Sequence, residues 1–150
     1  MYKVLLADDK EVFRRKVKRL PYWKDASDKF LICFEAQNGR EALDYLETQK
    51  DSDLVITGEG RLDGQSIMGK APIGVAGLAK KYHLPVIAFS GCVTEDAVVC
   101  NLSGIDAFFP ILRTVVSKEE AMDPANAERN MEAAAEQVFR LIRTVKETMI

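Results

Sequence analysis

No apolar run in these 150 residues approaches the ~18 that a membrane span needs, and the chain opens directly on a strand pattern rather than a signal-peptide pattern. The expectation is a cytoplasmic domain with no membrane partner. Net charge is lacking too: 21 Lys and Arg against 23 Asp and Glu leave a formal −2, which gives no electrostatic footprint for nucleic acid. The basic run from Arg14 to Lys18 and Arg19 reads as a solvated helix face. Cysteine is scarce and odd in number. Cys33, Cys92 and Cys100 form no C-x-x-C pair, so reduced thiols are expected rather than a disulfide or a zinc site. The single histidine, His83, falls in a short connection before Leu84-Pro85 and reads as a loop residue or helix C-cap, not a catalyst. What remains is ordinary: 47% hydrophobic and 29% charged residues fit one globular domain.

Along the chain, apolar strand patterns alternate with helical ones. Tyr2–Ala7 is a strand, and Lys10–Leu20 is a helix with Val12, Phe13, Val17 and Leu20 at helical spacing, stopped by Pro21. Tyr22 to Lys29 is a polar connection whose Trp23 covers the edge of the core. Phe30–Phe34 is a second strand, and Asn38-Gly39 caps a helix through Ala42, Leu43 and Leu46. Asp53–Thr57 is the third strand. A helix from Pro72 to Tyr82 follows, with Ile73, Val75, Ala76 and Leu78 buried, and then a fourth strand, Pro85–Phe89. Thr94 caps a helix to about Leu102, which Gly104 ends; Ile105–Phe109 is a short fifth strand closed by Pro110. After a polar connection, Asp123-Pro124 opens a long helix through Met131, Ala134, Val138, Leu141, Ile142 and Val145. Five β-α units imply an α/β fold: a flavodoxin-like, doubly wound parallel sheet of order 2-1-3-4-5 with helices on both faces.

Chemistry concentrates where strands end. Asp8-Asp9 follows the first strand, and adjacent carboxylates there either hold a divalent cation, Mg²⁺ being the natural one, or cap the next helix. The third strand runs into Gly58-Glu-Gly-Arg-Leu-Asp-Gly-Gln-Ser-Ile-Met-Gly-Lys70, whose glycines let a ligand approach the backbone and whose following helix offers partial positive charge. In the expected topology Asp8, Asp9, the Gly58 loop and Ser90 meet at one rim.

Two resemblances can be read. Tyr2-Lys-Val-Leu-Leu-Ala-Asp-Asp9, Leu20-Pro-Tyr-Trp23, Glu35-Ala-Gln-Asn-Gly-Arg-Glu-Ala-Leu43 and Asp53-Leu-Val-Ile-Thr57 resemble the receiver domains of two-component response regulators, those of AraC-type regulators most of all. That resemblance covers residues 1–57 and implies Mg²⁺ on Asp8 and Asp9, an aspartyl phospho-acceptor after strand three, a Ser or Thr after strand four and a Lys after strand five. The acceptor position is Gly58 and the Lys-Pro position reads Phe109-Pro110; Ser90 alone fits. From about residue 51 onward, Asp53-Leu-Val-Ile-Thr-Gly-Glu-Gly-Arg-Leu-Asp-Gly-Gln-Ser-Ile-Met-Gly-Lys-Ala-Pro-Ile-Gly-Val-Ala76, Lys81-Tyr-His-Leu-Pro-Val-Ile-Ala88 and Gly104-Ile-Asp-Ala-Phe108 resemble the C-terminal part of bacterial glycerate kinases. This resemblance implies that Glu59, Arg61, Asp63, Gln65 and Lys70 belong to an active-site cleft.

The two resemblances share Asp53–Thr57, and the expectation drawn from them is an engineered or selected hybrid, in preference to a natural fusion. Such a hybrid would have no catalytic job and would keep a weak Mg²⁺ site at Asp8 and Asp9. It would also keep an anion site drawn from Gly58, Glu59, Gly60, Arg61, Asp63, Gln65, Lys70 and Ser90. A histidine kinase partner is not expected, and a homodimer covering exposed apolar surface is kept as one alternative. The alternatives are a receiver module phosphorylated on Glu59 or Asp63, and a glycerate kinase segment that binds glycerate or nucleotide through Arg61 and Lys70. The first and last helices would come from different parents, and the mismatch would show either as cavities between them or as a dimer that covers exposed apolar surface.

Overall fold

The computed structural model describes residues 1–23 and 30–149, so the connection expected over Tyr22–Lys29 lies outside the described residues from position 24 on. The elements are β1 (Tyr2–Ala7), α1 (Glu11–Arg19), β2 (Phe30–Ala36), α2 (Gly39–Thr48), β3 (Leu54–Leu62), α3 (Ala71–Lys81), β4 (Val86–Val93), α4 (Val99–Leu102), β5 (Ala107–Pro110), α5 (Lys118–Met122) and α6 (Pro124–Thr148). All strand pairs are parallel, in the order β2-β1-β3-β4-β5. This is the expected flavodoxin-like sheet.

Strand alternation divides the core in two. Leu5, Ala7 and Val55 face one layer with Ala42 and Leu46 of α2 and Val75, Ala76 and Ala79 of α3. Val4, Leu6, Ile56 and Phe89 face the other, with Val17 of α1 and Met131, Ala135, Val138 and Phe139 of α6. On this second face Phe139 meets Tyr22, Trp23 and Phe30 at ring-centroid distances of 4.7, 5.2 and 4.8 Å. Trp23 also donates its indole N–H to the Val17 carbonyl at 2.7 Å, so it closes the edge of the core as expected.

Several boundaries differ from expectation. β3 does not stop at Thr57 but continues to Leu62, and β4 continues past Phe89 to Val93. The two run on as a parallel ribbon beyond the end of β1, with Glu59 opposite Ser90 and Leu62 opposite Val93. Glycine makes this possible: a Cβ on Gly91 would lie 2.5 Å from the Gly60 carbonyl oxygen, so the backbones approach where any side chain would separate them. The segment after Thr94 is a 3₁₀ turn, Glu95–Val98, followed by the single turn of α4. The expected polar connection holds α5, started by a capping box between Ser117 and Glu120. Val12, Leu141 and Val145, expected in the core, are exposed.

Arg14 corrects the reading of the basic run. It is buried, donating from Nε to Glu35 at 2.8 Å and from Nη1 to the Asp8 carbonyl at 2.7 Å, while Lys18 pairs with the other oxygen of Glu35. His83 is exposed, at φ 58 just after α3, which is the left-handed position that ends a helix. The three cysteines are free thiols. Among the described residues no helix is long and apolar enough to cross a membrane.

Candidate functional site

β1 delivers Asp8 to the C-terminal edge of the sheet, where it is 4% exposed. Its Oδ1 accepts the Lys10 N–H at 2.7 Å, so Asp8 caps the turn that leads into α1. Burial raises its carboxyl to about 6; the Asp9 charge pushes the same way, and the N–H groups of Lys10 and Gly58 push back. Asp9 is exposed. Both carboxylates line one cleft of about 200 Å³ together with Asn38, Gly39, Lys70 and Gly74. The starts of α2 and α3 open on this cleft, and Asn38 caps α2 by accepting the Glu41 N–H at 2.9 Å. Asp8 and Asp9 are the carboxylates that would hold a cation with oxygen ligands here, and among the described residues no third acidic, His or Cys side chain joins them.

The β3 ribbon sets out the remaining positions. Gly58 lies under the Phe13 ring: a Cβ there would come within 2.4 Å of a ring carbon, so an aromatic ring fills the space that an acceptor side chain would need. Glu59 is engaged, its Oε1 accepting the Gly60 N–H at 2.8 Å with the Lys10 ammonium 3.8 Å away. Ser90 is buried; its hydroxyl donates to the Cys92 carbonyl at 2.6 Å and accepts the Leu62 N–H at 3.1 Å. Its place is inside the ribbon, not at a ligand.

Past the ribbon, Asp63 is the hub of the polar loop. Its Oδ1 accepts the Gln65 N–H at 3.1 Å and the Ser66 hydroxyl at 3.2 Å, and the Ser66 hydroxyl in turn accepts the Asp63 N–H at 3.0 Å. Around this fixed carboxylate stand Arg61 Nε at 3.4 Å and Lys70 Nζ at 3.6 Å, and Lys70 also donates to the Arg61 carbonyl at 3.2 Å. Two cations thus converge on one anchored anion at the start of α3, where the helix dipole adds positive potential. Gln65 is exposed and contributes its backbone.

The expected single rim is therefore divided. Asp8, Asp9 and Lys70 share the cleft on the α2/α3 side of the sheet. Asp8, Gly58, Glu59, Gly60 and Ser90 line a cavity on the α1/α6 side. Arg61, Asp63 and Gln65 lie beyond both, linked to the cleft through Lys70. Sequence reasoning missed two residues here. Ser66 is fully buried under Asp63, and Asp96 accepts from the Thr94 hydroxyl and the Gly64 N–H, which hold its carboxyl below the ordinary range. An Asp followed three residues later by Ser is a local turn signal that could have indicated Ser66. Asp96 is distant in sequence and left no signal.

The sequence profile of the glycerate kinase family matches residues 39–143, well over half of the chain. This chain belongs to the glycerate kinase family. It is 45% identical over 102 residues to a glycerate kinase of Haemophilus influenzae, covering 68% of this chain and 26% of that protein. It is 50% identical over 97 residues to glycerate 2-kinase of Escherichia coli, covering 61% of this chain and 26% of the relative. The chain thus spans about a quarter of the length of these curated relatives. The relatives are enzymes, so the expectation of a domain with no catalytic job is overturned by the family match.

The fold is also that of a second group of proteins. The response regulator domain of CheB from Thermotoga maritima superposes with a TM-score of 0.53 at 19% identity, over 86% of this chain and 94% of that one. At that identity it shares the fold, which supports the chimeric resemblance of a receiver-like frame carrying a glycerate kinase segment. The family match begins at Gly39, ahead of residue 51, so it takes in α2 as well as β3.

Proposed function

We propose that this chain takes part in transferring a phosphoryl group from ATP to a hydroxyl of glycerate, and that the loop from Arg61 to Lys70 is its anion-binding element. The observation that carries this reading is the convergence of Arg61 Nε and Lys70 Nζ on the anchored Asp63 carboxylate, inside the segment that matches the family. A glycerate carboxylate or a nucleotide phosphate is held by the same two cations, since the Arg61 side chain is largely exposed and meets Asp63 through Nε alone. Asp63 keeps the pair in place between turnovers. In the transfer, the glycerate hydroxyl oxygen bonds to the γ-phosphorus, the bond from that phosphorus to the β–γ bridging oxygen breaks, ADP leaves and the hydroxyl proton passes to solvent; positioning and charge neutralisation supply most of the rate.

Mg²⁺ fits this scheme at Asp8 and Asp9, which share the cleft with Lys70. When bound, the ion would neutralise phosphate charge. Receiver-type phosphorylation gains no support from the geometry, because Phe13 covers Gly58 while Glu59 and Asp63 are both already engaged.

The test is phosphoglycerate formation from glycerate, ATP and Mg²⁺, counted against ATP hydrolysis in the absence of glycerate. Arg61→Gln and Lys70→Met are each expected to lower kcat/KM by about 10²-fold or more. Product no greater than the blank, or equal rates in the wild type and both variants, would overturn the proposal.

A further inference from the structure

The cavity on the α1/α6 side, about 200 Å³, opens between the starts of α1 and α6 at the C-terminal edge of the sheet. Phe13, Phe89, Ile111 and Met131 form its walls. Gly58, Gly60 and Gly91 line it with backbone alone, and a Cβ at Gly60 would meet no atom within 4 Å. Four charged groups line it, and they are not equivalent. Glu59 already holds the Gly60 N–H at 2.8 Å, and Asp8 holds the Lys10 N–H at 2.7 Å. Lys10 faces Glu59 at 3.8 Å, near the outer limit of an ion pair, and Lys16 has no ion-pair partner among the described residues. Both carboxylates already accept backbone N–H bonds, and Lys16 is the lining cation with no hydrogen-bond or ion-pair partner among the described residues. An apolar pocket with one such ammonium suits a molecule that has an apolar body and a single anionic end.

We propose that this cavity binds a small monocarboxylic acid with an aromatic or branched aliphatic body, its carboxylate on Lys16 and its body between Phe13 and Met131. The site is on the other face of the sheet from the Lys70 cleft and does not depend on the kinase reading. A nucleotide is a poor occupant, since its phosphates would face Asp8 and Glu59. Glycerate is a poor one too, because its two hydroxyls would meet the apolar walls without partners.

Phenylacetate, 2-phenylethanol and phenethylamine have comparable bodies and differ in charge, so titrating each into the full chain by calorimetry and thermal melting separates the contributions. Phenylacetate is expected to bind saturably, about tenfold or more tighter than the alcohol, and the amine not at all. Lys16→Gln should bring phenylacetate down to the level of the alcohol. Ala127→Met, which narrows the mouth from a half-exposed helix position, should remove binding of both while leaving the unliganded melt unchanged. The proposal is overturned if none of the three binds saturably, if the amine matches the acid, or if Lys16→Gln or Ala127→Met leaves phenylacetate affinity unaltered. Competition by glycerate would place the ligand in the Lys70 cleft and overturn it as well.

Discussion

Burial at the end of β1 raises the Asp8 carboxyl to about 6, and this fixes how stability runs with pH. The folded state holds a proton on Asp8 at pH values where the unfolded chain, with an ordinary carboxyl near 4, has already released it. Asp8 therefore favours the folded state below about pH 4, and that contribution disappears as pH rises to about 6, at most about 3 kcal/mol in all. Glu35 acts in the opposite sense: Lys18 and Arg14 hold its carboxyl low, so its contribution is lost on acidification. Urea melts should show stability falling between pH 4 and 6.5, and Asp8→Asn should flatten that fall and gain about 1–2 kcal/mol at pH 7. A variant no more stable than the wild type at pH 7 would show that the Asp8 charge is already compensated. At Gly58 the limit is steric. Gly58→Ala places a Cβ 2.4 Å from the Phe13 ring and should cost about 1–3 kcal/mol, partly recovered by adding Phe13→Leu.

The ribbon formed by β3 and β4 past the end of β1 shows what local patterns hide. Gly58-Glu-Gly-Arg61 reads as a loop because glycine weakens isolated strands, yet the same glycines permit the close approach of Gly60 and Gly91. That pairing lies 31 residues away in sequence and no short-range signal announces it. Core-facing stretches such as Val4–Ala7 and Leu54–Ile56 were legible because burial on both faces demands an uninterrupted apolar run. Arg14 was not legible, since its burial depends on Glu35 from β2 and the carbonyl of Asp8. Asp63, Arg61 and Lys70 stood out as a group in the sequence, whereas Ser90 was visible but misplaced, its hydroxyl being used within the ribbon. Ser90→Ala would leave the buried Leu62 N–H without its acceptor and should cost about 1–3 kcal/mol. Hydrogen exchange at Leu62 and Thr94, whose N–H donates to the Leu62 carbonyl at 3.0 Å, should quicken more than exchange in β1. Equal acceleration throughout would mean that the ribbon opens only with the whole molecule.

At the scale of the whole molecule, the segment before Gly39 and the segment that the family profile matches share one core, and Phe139 makes an aromatic contact between them. Phe139 of α6 is 1% exposed and packs edge-on against Trp23 and Phe30, both contributed by the first segment. The opposite end of the same α1/α6 layer holds the open cavity, so packing between the two segments is tight at one end and loose at the other. Stability in this layer should therefore reside at the aromatic end. Phe139→Ala is expected to cost about 3–5 kcal/mol, a large share of what a domain of this size has. Met131→Ala, beside the existing cavity, should fall near the lower end of the about 2–5 kcal/mol range, because its site is already partly open. A double-mutant cycle between Trp23→Leu and Phe139→Leu should return a coupling of about 0.5–1.5 kcal/mol, the surplus of an edge-to-face pair over its buried area. Additive losses in that cycle would mean that the two segments are held together by burial alone, with no geometric preference across the join.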